Sequence, residues 1–525
     1  AQHNATGQLY AGLLHIWYNV LYWPQCVFRE ATMALIDLNI PAGVYRNGTD
    51  LQSMGRWRDA SLIRWHDGVM RPVGGWRTRN NNAANASIRG ITTWNTNSSD
   101  RWIAAGTYNK LYAWAETGVQ YDITPVGLTA GREDAISFTG YGGAEFGAYA
   151  YGIARPDTVR IQPATSWDLE TWGEYLLACN EDDGKIYEWQ LATGTPAAVL
   201  SNAPTSNLGC VVTEERFLFA LGAGGNPRKV QWSDREDNNS WTPAATNEAG
   251  DLELNTSGAL MKGLTVAGQT LLLTTRDAHV ANYIGPPYVY GIERVGTSCG
   301  LAAKQAAVVV DAGAFWMGVN SFYVYTGGQV QELPCDVSDY VFNDINRGQI
   351  SKSFGMSNSM FGEITWFYPS AASTENNRYV TFNYTENTWY IGELARTAGV
   401  DRSAFRQPMM ADPADYKIYE HEIGFDYGAL TPYAETGPFR IGAGDQVMSV
   451  TELLPDEKSQ GDVNAVFKTR FYPNGTERSY GPYSMSNPTS VRFTGRQVRM
   501  RVEGQRLSDW RVGINRLEAV GGGRR

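Results

Sequence analysis

Short apolar runs recur along the middle of this chain, each closed by a polar turn and followed by a second run ending in aromatic residues. Arg101-Trp102-Ile103-Ala104-Ala105-Gly106 leads into Lys110-Leu111-Tyr112-Ala113-Trp114 and ends at Thr117-Gly118. Glu174-Tyr175-Leu176-Leu177-Ala178-Cys179 leads into Lys185-Ile186-Tyr187-Glu188-Trp189 and ends at Thr193-Gly194, matching the first almost position for position. Weaker copies begin at Arg216, Thr270, Ala314 and Glu363, and a last fragment is Lys417-Ile418-Tyr419-Glu420-His421. Read as half-buried hairpins with a two-residue period, these segments predict repeated antiparallel strands. From the second copy onward they are spaced by about 42 to 53 residues, which is the range of β-propeller blades. The first two stand 73 residues apart, which predicts an insertion over about 119–166. The aromatic residue closing each second strand is expected to pack between neighbouring blades. The reading is an all-β chain whose residues 33–435 form an interrupted β-propeller of six to eight blades; a large β-sandwich with accidental self-similarity is the alternative.

After Glu435 the texture changes. Asn464–Phe471, Ser490–Thr494, Gln497–Glu503 and Trp510–Val520 alternate cleanly, with turns at Pro473-Asn474-Gly475 and Glu503-Gly504. Residues 436–525 carry 14 Lys and Arg against 9 Asp and Glu, whereas the remainder carries 30 against 45. This asymmetry predicts a separate C-terminal β-sandwich over 436–525. Val498, Met500 and Val502 share one face of a strand and Arg499 and Arg501 the other. Those arginines form either a solvated face or a contact for a polyanion.

Composition narrows the class. In 525 residues the net charge is −10, which argues against a uniformly basic nucleic-acid binder. With 43% hydrophobic and 12% aromatic residues the chain has ample material for packed cores, and its 19% charged content suits many short strands and turns. The longest apolar run, Leu9–Trp23, is interrupted by His15 and Asn19 and is too short to span a bilayer. It also lacks the basic leader of a secretory signal. Met33 opens a more ordinary stretch, so residues 1–32 are expected to be an extension or processed leader of unknown role. Cys26, Cys179, Cys210, Cys299 and Cys335 show no paired spacing and are expected as buried free thiols.

The search for chemistry yields little. Glu133, Asp134, Glu181, Asp182 and Asp183 are candidate carboxylates for a glycosidase pair, but Asp182-Asp183-Gly184 falls in a turn between two repeat strands, where turn geometry alone favours these residues. The repeated Ser-x-Asp-x-Gly-x-Thr-Trp turn of sialidase propellers is lacking. His3, His15, His66, His279 and His421 are dispersed, without metal-ligand spacing, and His279 is expected as a core or surface residue. The glycine-rich stretch Thr139–Gly147 has no following Lys-Ser/Thr and reads as an insertion loop. There is no GxSxG elbow. No catalytic, cofactor-binding or metal-ligating residue is assigned, no cofactor is expected, and the chain is not expected to be an enzyme.

Two stretches carry a resemblance. The first runs Asn39-Ile40-Pro41-Ala42-Gly43-Val44-Tyr45-Arg46-Asn47-Gly48-Thr49, then Gly55-Arg56-Trp57-Arg58-Asp59-Ala60, Arg64-Trp65-His66-Asp67-Gly68 and Arg71-Pro72-Val73-Gly74-Gly75-Trp76. The second runs Asn474–Gly481, Arg496–Val502 and Trp510–Glu518. Together they resemble the tail nozzle or tail hub proteins of short-tailed bacteriophages, also called packaged-DNA stabilisation proteins. The resemblance implies a structural virion protein located in the tail. It implies self-assembly into a ring, usually a hexamer, beneath the portal and adaptor proteins. It further implies contacts with tail fibres or spikes and with the host envelope during infection, and double-stranded DNA retained in the lumen and conducted through it at ejection. The family has no catalytic motif to carry over. The charge balance agrees with a conduit, because every neutralised phosphate adds sequence-independent affinity and a basic lining would hold the duplex back. A ring would also cover strand edges and exposed aromatics. Two other readings stay open: a carbohydrate-active or glycan-binding propeller, and another phage tail component such as a baseplate or receptor-binding protein.

Overall fold

The computed structural model describes residues 34–137, 161–440, 446–473 and 475–523. Seven four-stranded antiparallel sheets follow one another among these residues, and the seven repeat copies of the sequence supply central strands to them. The first strands of the seven sheets are Ile91–Asn95, Trp167–Trp172, Gly209–Val212, Leu260–Val266, Ala307–Val310, Phe354–Asn358 and Ala398–Val400. Each of these lies against the next and the seventh lies against the first, so the sheets are the blades of a closed seven-bladed propeller. Blade seven takes its fourth strand, Trp76–Thr78, from the region before blade one, pairing it antiparallel with Ile418–His421. That join ties the two ends of the ring together.

The central hairpins are not half-buried. In blade one Trp102 to Gly106 are buried without interruption, and Leu218–Leu221 and Gly313–Met317 are wholly buried. Blades stack face to face, so both sides of a central strand are covered and the two-residue alternation is lost. The closing aromatics do pack between blades. Trp114 joins a cluster with Met409 and Ile418 of blade seven, and Trp189 meets Trp102 of blade one edge to face at 5.1 Å. In blade three the aromatic comes one position earlier after the lysine (Lys229 to Trp232, against Lys185 to Trp189), and a one-residue slip reverses the face. Trp232 accordingly packs on Tyr290 of the following blade, at 5.4 Å. Gly106 is required by the close stacking of blades one and two: a Cβ there would lie 2.3 Å from the Trp167 ring.

The second body is a β-sandwich, and its composition corrects the domain limits read from sequence. One sheet orders Ala34–Leu38, Asn515–Gly521, Met448–Leu454 and Thr489–Gly495; the other orders Trp57–Ser61, Tyr433–Thr436, Gln497–Gly504, Val463–Arg470 and Arg478–Ser484. Two of these strands precede the propeller in sequence and were expected within it. The propeller is therefore inserted into the sandwich rather than placed before it. Local sequence could not show this, because the pairing partners are separated by the whole propeller. Phe467 and Phe493 stack at 4.6 Å across the sandwich core, an arrangement contributing about 0.5–1.5 kcal/mol beyond burial.

A hairpin, Ile63–His66 with Val69–Pro72, bridges the two bodies. Trp65 lies 5.9 Å from both Trp57 of the sandwich and Tyr390 of blade six, and one hydrophobic cluster runs from Phe467 and Met500 to Trp316 and Trp366. Turns joining strands one to two and three to four point to one face of a propeller. Phe361 and Glu386 of blade six occupy such turns and touch this hairpin, so the sandwich is attached on that face. The expected insertion begins later than 119, since Gln120–Asp122 is the fourth strand of blade one. Its described part adds a short pair, Ile136–Ser137 with Ile161–Gln162. Thr139–Gly147, Cys26, His3 and His15 fall outside the described residues.

Candidate functional site

The inner strands converge on the propeller axis, where isolated charges interrupt otherwise apolar segments. Asp168, on the inner strand of blade two, is fully buried. Its carboxylate accepts hydrogen bonds from Lys262 Nζ of blade four at 2.6 Å and the Cys210 N–H of blade three at 3.3 Å, and pairs with Lys304 Nζ at the start of blade five at 3.2 Å. Gln305 Nε2 donates to the Trp167 carbonyl at 2.6 Å. Side chains from blades two, four and five thus meet across the axis. Gly209 makes the meeting possible, because a Cβ there would stand 2.2 Å from Asp168 Oδ2 and 3.2 Å from Lys304 Nζ.

The charges tune one another. Burial pushes the Asp168 carboxyl up, but Lys262 and Lys304 outweigh it and hold it below the ordinary carboxylate range. For both lysines burial favours the neutral amine, and Asp168 more than reverses that effect, so both are held charged. Glu170 and Glu181 lack such close cations. Burial raises each to about 7, partly offset by Lys262 at Glu170 and by Lys304 at Glu181.

On the face opposite the sandwich, the link between blades one and two is bound across the mouth of the axis. Lys352, buried ahead of blade six, bonds Asp134 at 2.5 Å, Glu375 at 2.6 Å and the Thr374 carbonyl at 2.8 Å. Arg89 reaches Glu375 at 2.5 Å. Gln349 exchanges two hydrogen bonds with the backbone of Ala135, and the Ala164 N–H donates to Ser351 Oγ. Each of these side chains is bound by another of the chain, although Arg89 Nε and Nη1 and Glu375 Oε2 are buried without a hydrogen-bond partner among the described residues. The arrangement fills and braces the axis, and a duplex cannot pass where a carboxylate and two ammonium groups are in contact.

The sequence candidates now have places. Asp134 serves Lys352, and Glu133 is exposed. Asp182 accepts the Thr165 hydroxyl and pairs with Arg132 at 2.5 Å, while Asp183 accepts the Tyr187 hydroxyl and the Thr129 N–H. The Asp182-Asp183-Gly184 turn is thus a structural junction. His279 is buried 3.3 Å from Asp277, and His421 is buried accepting from Arg396 Nε at 3.0 Å; burial lowers both imidazoles. Cys179, Cys210 and Cys299 are buried free thiols, and Cys335 is half-buried. His66, Asp67 and Glu386 offer ligand atoms within 4.8 Å of one another at the contact between hairpin and blade six, and are the group among the described residues that could hold a metal ion. Sequence reading missed it because Glu386 is remote in the chain.

The Arg499 and Arg501 face is neither solvated nor free for a polyanion. Arg499 pairs with Asp50, with Glu435 at 3.4 Å and with Glu477 at 3.4 Å; Arg501 pairs with Glu503 at 2.5 Å and Glu435 at 3.6 Å. Sequence reading also missed Asp168, Lys262, Lys304 and the buried triad Arg64, Glu363 and Glu422. Arg64 holds Glu363 through two bonds, at 2.6 and 2.7 Å, and Glu422 through two more, at 3.0 and 2.6 Å. The available signal was a single charge at a core-facing strand position, as in Leu260-Met261-Lys262-Gly263-Leu264.

No family model and no curated protein matches the chain. Solved structures similar to it are propellers. A streptogramin B lyase has a TM-score of 0.39 at 10% identity, over 66% of this chain and 97% of that one. Virginiamycin B lyase from Staphylococcus aureus has the same TM-score and identity, over 66% and 99%. The WD40 domain of Pan2 from Neurospora crassa has a TM-score of 0.37 at 7% identity, over 66% and 94%. The protein belongs by architecture to the β-propellers, and these likenesses carry no argument about its activity.

Proposed function

We propose that this chain is a structural subunit of the tail nozzle or hub of a short-tailed bacteriophage, assembling as a ring that retains packaged DNA and conducts it at ejection. The observation that carries the reading is the meeting of the two sequence stretches that resemble that family. Trp57–Ser61, which overlaps the first stretch, shares a sheet with Gln497–Gly504 of the second, and residues beside the first stretch join in: Ala34–Leu38 pairs in register with residues 515–519, and Met70 bridges Val512. Parts of both stretches thus meet at the sandwich and the hairpin beside it, although the stretches lie some four hundred residues apart in sequence.

Other features support it. The sandwich exposes Leu507 and Tyr472, at 67% and 64%, together with Leu35 and Ile514, and its edge strands Ala34–Leu38, Thr489–Gly495 and Arg478–Ser484 pair on one side only among the described residues. Such surfaces call for a partner. Since the propeller axis is filled by ion pairs, the conduit in this reading is the hole between subunits and not the axis of one propeller. Portal, adaptor and fibre contacts then belong to the outer surfaces.

The test is the mass of the purified full chain by native mass spectrometry, together with antibody labelling of virions. Rings of about six copies and axial tail label are expected. A stable monomer at micromolar concentration combined with label away from the tail axis would remove the reading.

A further inference from the structure

An open groove of about 420 Å³ lies between blades four and five, lined by Arg276, Arg294, Thr297, Ser298, Asn320 and Tyr323 among others. It is built from the turn joining strands two and three of blade four, the corresponding turn of blade five, and the links entering and leaving blade four. It therefore opens on the face away from the sandwich. We infer that this groove binds an acidic saccharide, a sugar carrying a phosphate or carboxylate group. The inference does not rest on the nozzle reading.

The argument starts with charge. Arg276 and Arg294 line the same groove, and neither has an ion-pair partner among the described residues; Arg276 Nη1 donates only to Ser257 Oγ, at 3.1 Å. Arg347 adds a third guanidinium, donating to Asn320 Oδ1 at 3.0 Å. The one carboxylate in the lining, Asp277, does not neutralise them. Its oxygens are taken by Thr256 at 2.7 and 2.8 Å and by Thr274 at 2.5 Å, with His279 at 3.3 Å. Two forked donors are thus presented to solvent without a carboxylate partner among the described residues, which suits a planar or tetrahedral oxyanion.

The rest of the lining selects the body that carries the anion. Ser257, Thr275, Thr297 and Ser298 supply hydroxyls and Asn320 an amide, with Val319 as the large aliphatic. Tyr323 is fixed beneath them: its hydroxyl donates to the Ser298 carbonyl at 3.0 Å and its ring stacks on Trp316 at 5.8 Å. An aromatic plane ringed by hydroxyls and cations matches a pyranose with an acidic substituent, and the volume falls in the range of small-ligand sites. A nucleic-acid strand is the less suitable occupant, because it requires a basic track along its backbone and the chain carries a net charge of −10.

The test is isothermal titration of the full chain with glucose 6-phosphate, glucuronic acid, glucose, inorganic phosphate and a thymidine oligonucleotide. Saturable binding of glucose 6-phosphate or glucuronic acid is expected, with the better of the two identifying the acidic group. Glucose and inorganic phosphate should each bind at least about tenfold more weakly, since each offers half of the contacts. R276A/R294A should lose about tenfold or more while keeping the parent melting temperature, because both arginines are exposed, and R294K should lose less. Absence of binding by either acidic sugar at millimolar concentration would overturn the inference. So would equal affinity in R276A/R294A, equal affinity for inorganic phosphate, or tighter binding of the oligonucleotide.

Discussion

Lys262 Nζ stands 2.6 Å from Asp168 Oδ1 although the two residues come from blades that are not adjacent, and Lys304 closes on the same carboxylate from a third. The contact is possible only at the axis, where all inner strands approach one another. It makes ring closure and charge pairing one event: unless blades two, four and five are in place together, a charge is left buried without a partner.

Asp168→Ala should therefore lower the stability of the folded chain by about 3–5 kcal/mol, the usual cost of leaving a buried ion uncompensated. Urea unfolding followed by tryptophan fluorescence measures it. Asp168→Ala combined with Lys262→Met and Lys304→Met should recover much of the loss, since no unpaired ammonium then remains.

Glu170 and Glu181 set an opposite dependence on pH. Their folded values of about 7 lie above the ordinary 4.5, so the native state binds more protons between those limits. Their contribution is present below about pH 4.5 and is lost as pH rises through about 7. Asp168, whose carboxyl is depressed, contributes above its usual range and loses that contribution only at lower pH. Glu170→Gln/Glu181→Gln should gain about 1–3 kcal/mol relative to the parent at pH 8 and little at pH 4.5. Denaturant midpoints across that range give the comparison.

Arg64 ties the hairpin between the two bodies to blades six and seven through Glu363 and Glu422, with its guanidinium 3.7 Å above the Phe361 ring. Arg64→Met should cost about 3–5 kcal/mol by stranding two carboxylates. In R64M/E363Q/E422Q part of that loss should return. Calorimetric melting temperatures of the three proteins order the effects, and a single variant as stable as the parent would contradict the assignment.

Because Arg499 and Arg501 are already matched by Asp50, Glu435, Glu477 and Glu503, duplex DNA should bind the free chain weakly. Fluorescence anisotropy with a labelled duplex at about 0.15 M salt should show no saturation at micromolar protein, and R499A/R501A should leave the titration unchanged.

Much of this architecture was legible in the chain. All-β class, repeated hairpins, blade spacing and the aromatic residues between blades are local properties, written in short apolar runs, turn residues and their spacing. The seven repeat copies in the sequence correspond to the seven blades. The alternation of Val498, Met500 and Val502 against Arg499 and Arg501 also follows from strand geometry alone, and those three apolar residues are buried.

What only the tertiary structure decided are relations between distant segments. Trp76–Thr78 closes blade seven, Ala34–Leu38 and Trp57–Ser61 complete the sandwich, and Asp168, Lys262 and Lys304 share one buried site. A pattern in one strand states that it has a buried face, but not which strand covers it. A buried charge is compatible with folding only through a partner, and that partner is fixed by the closure of the ring and not by its place in the sequence.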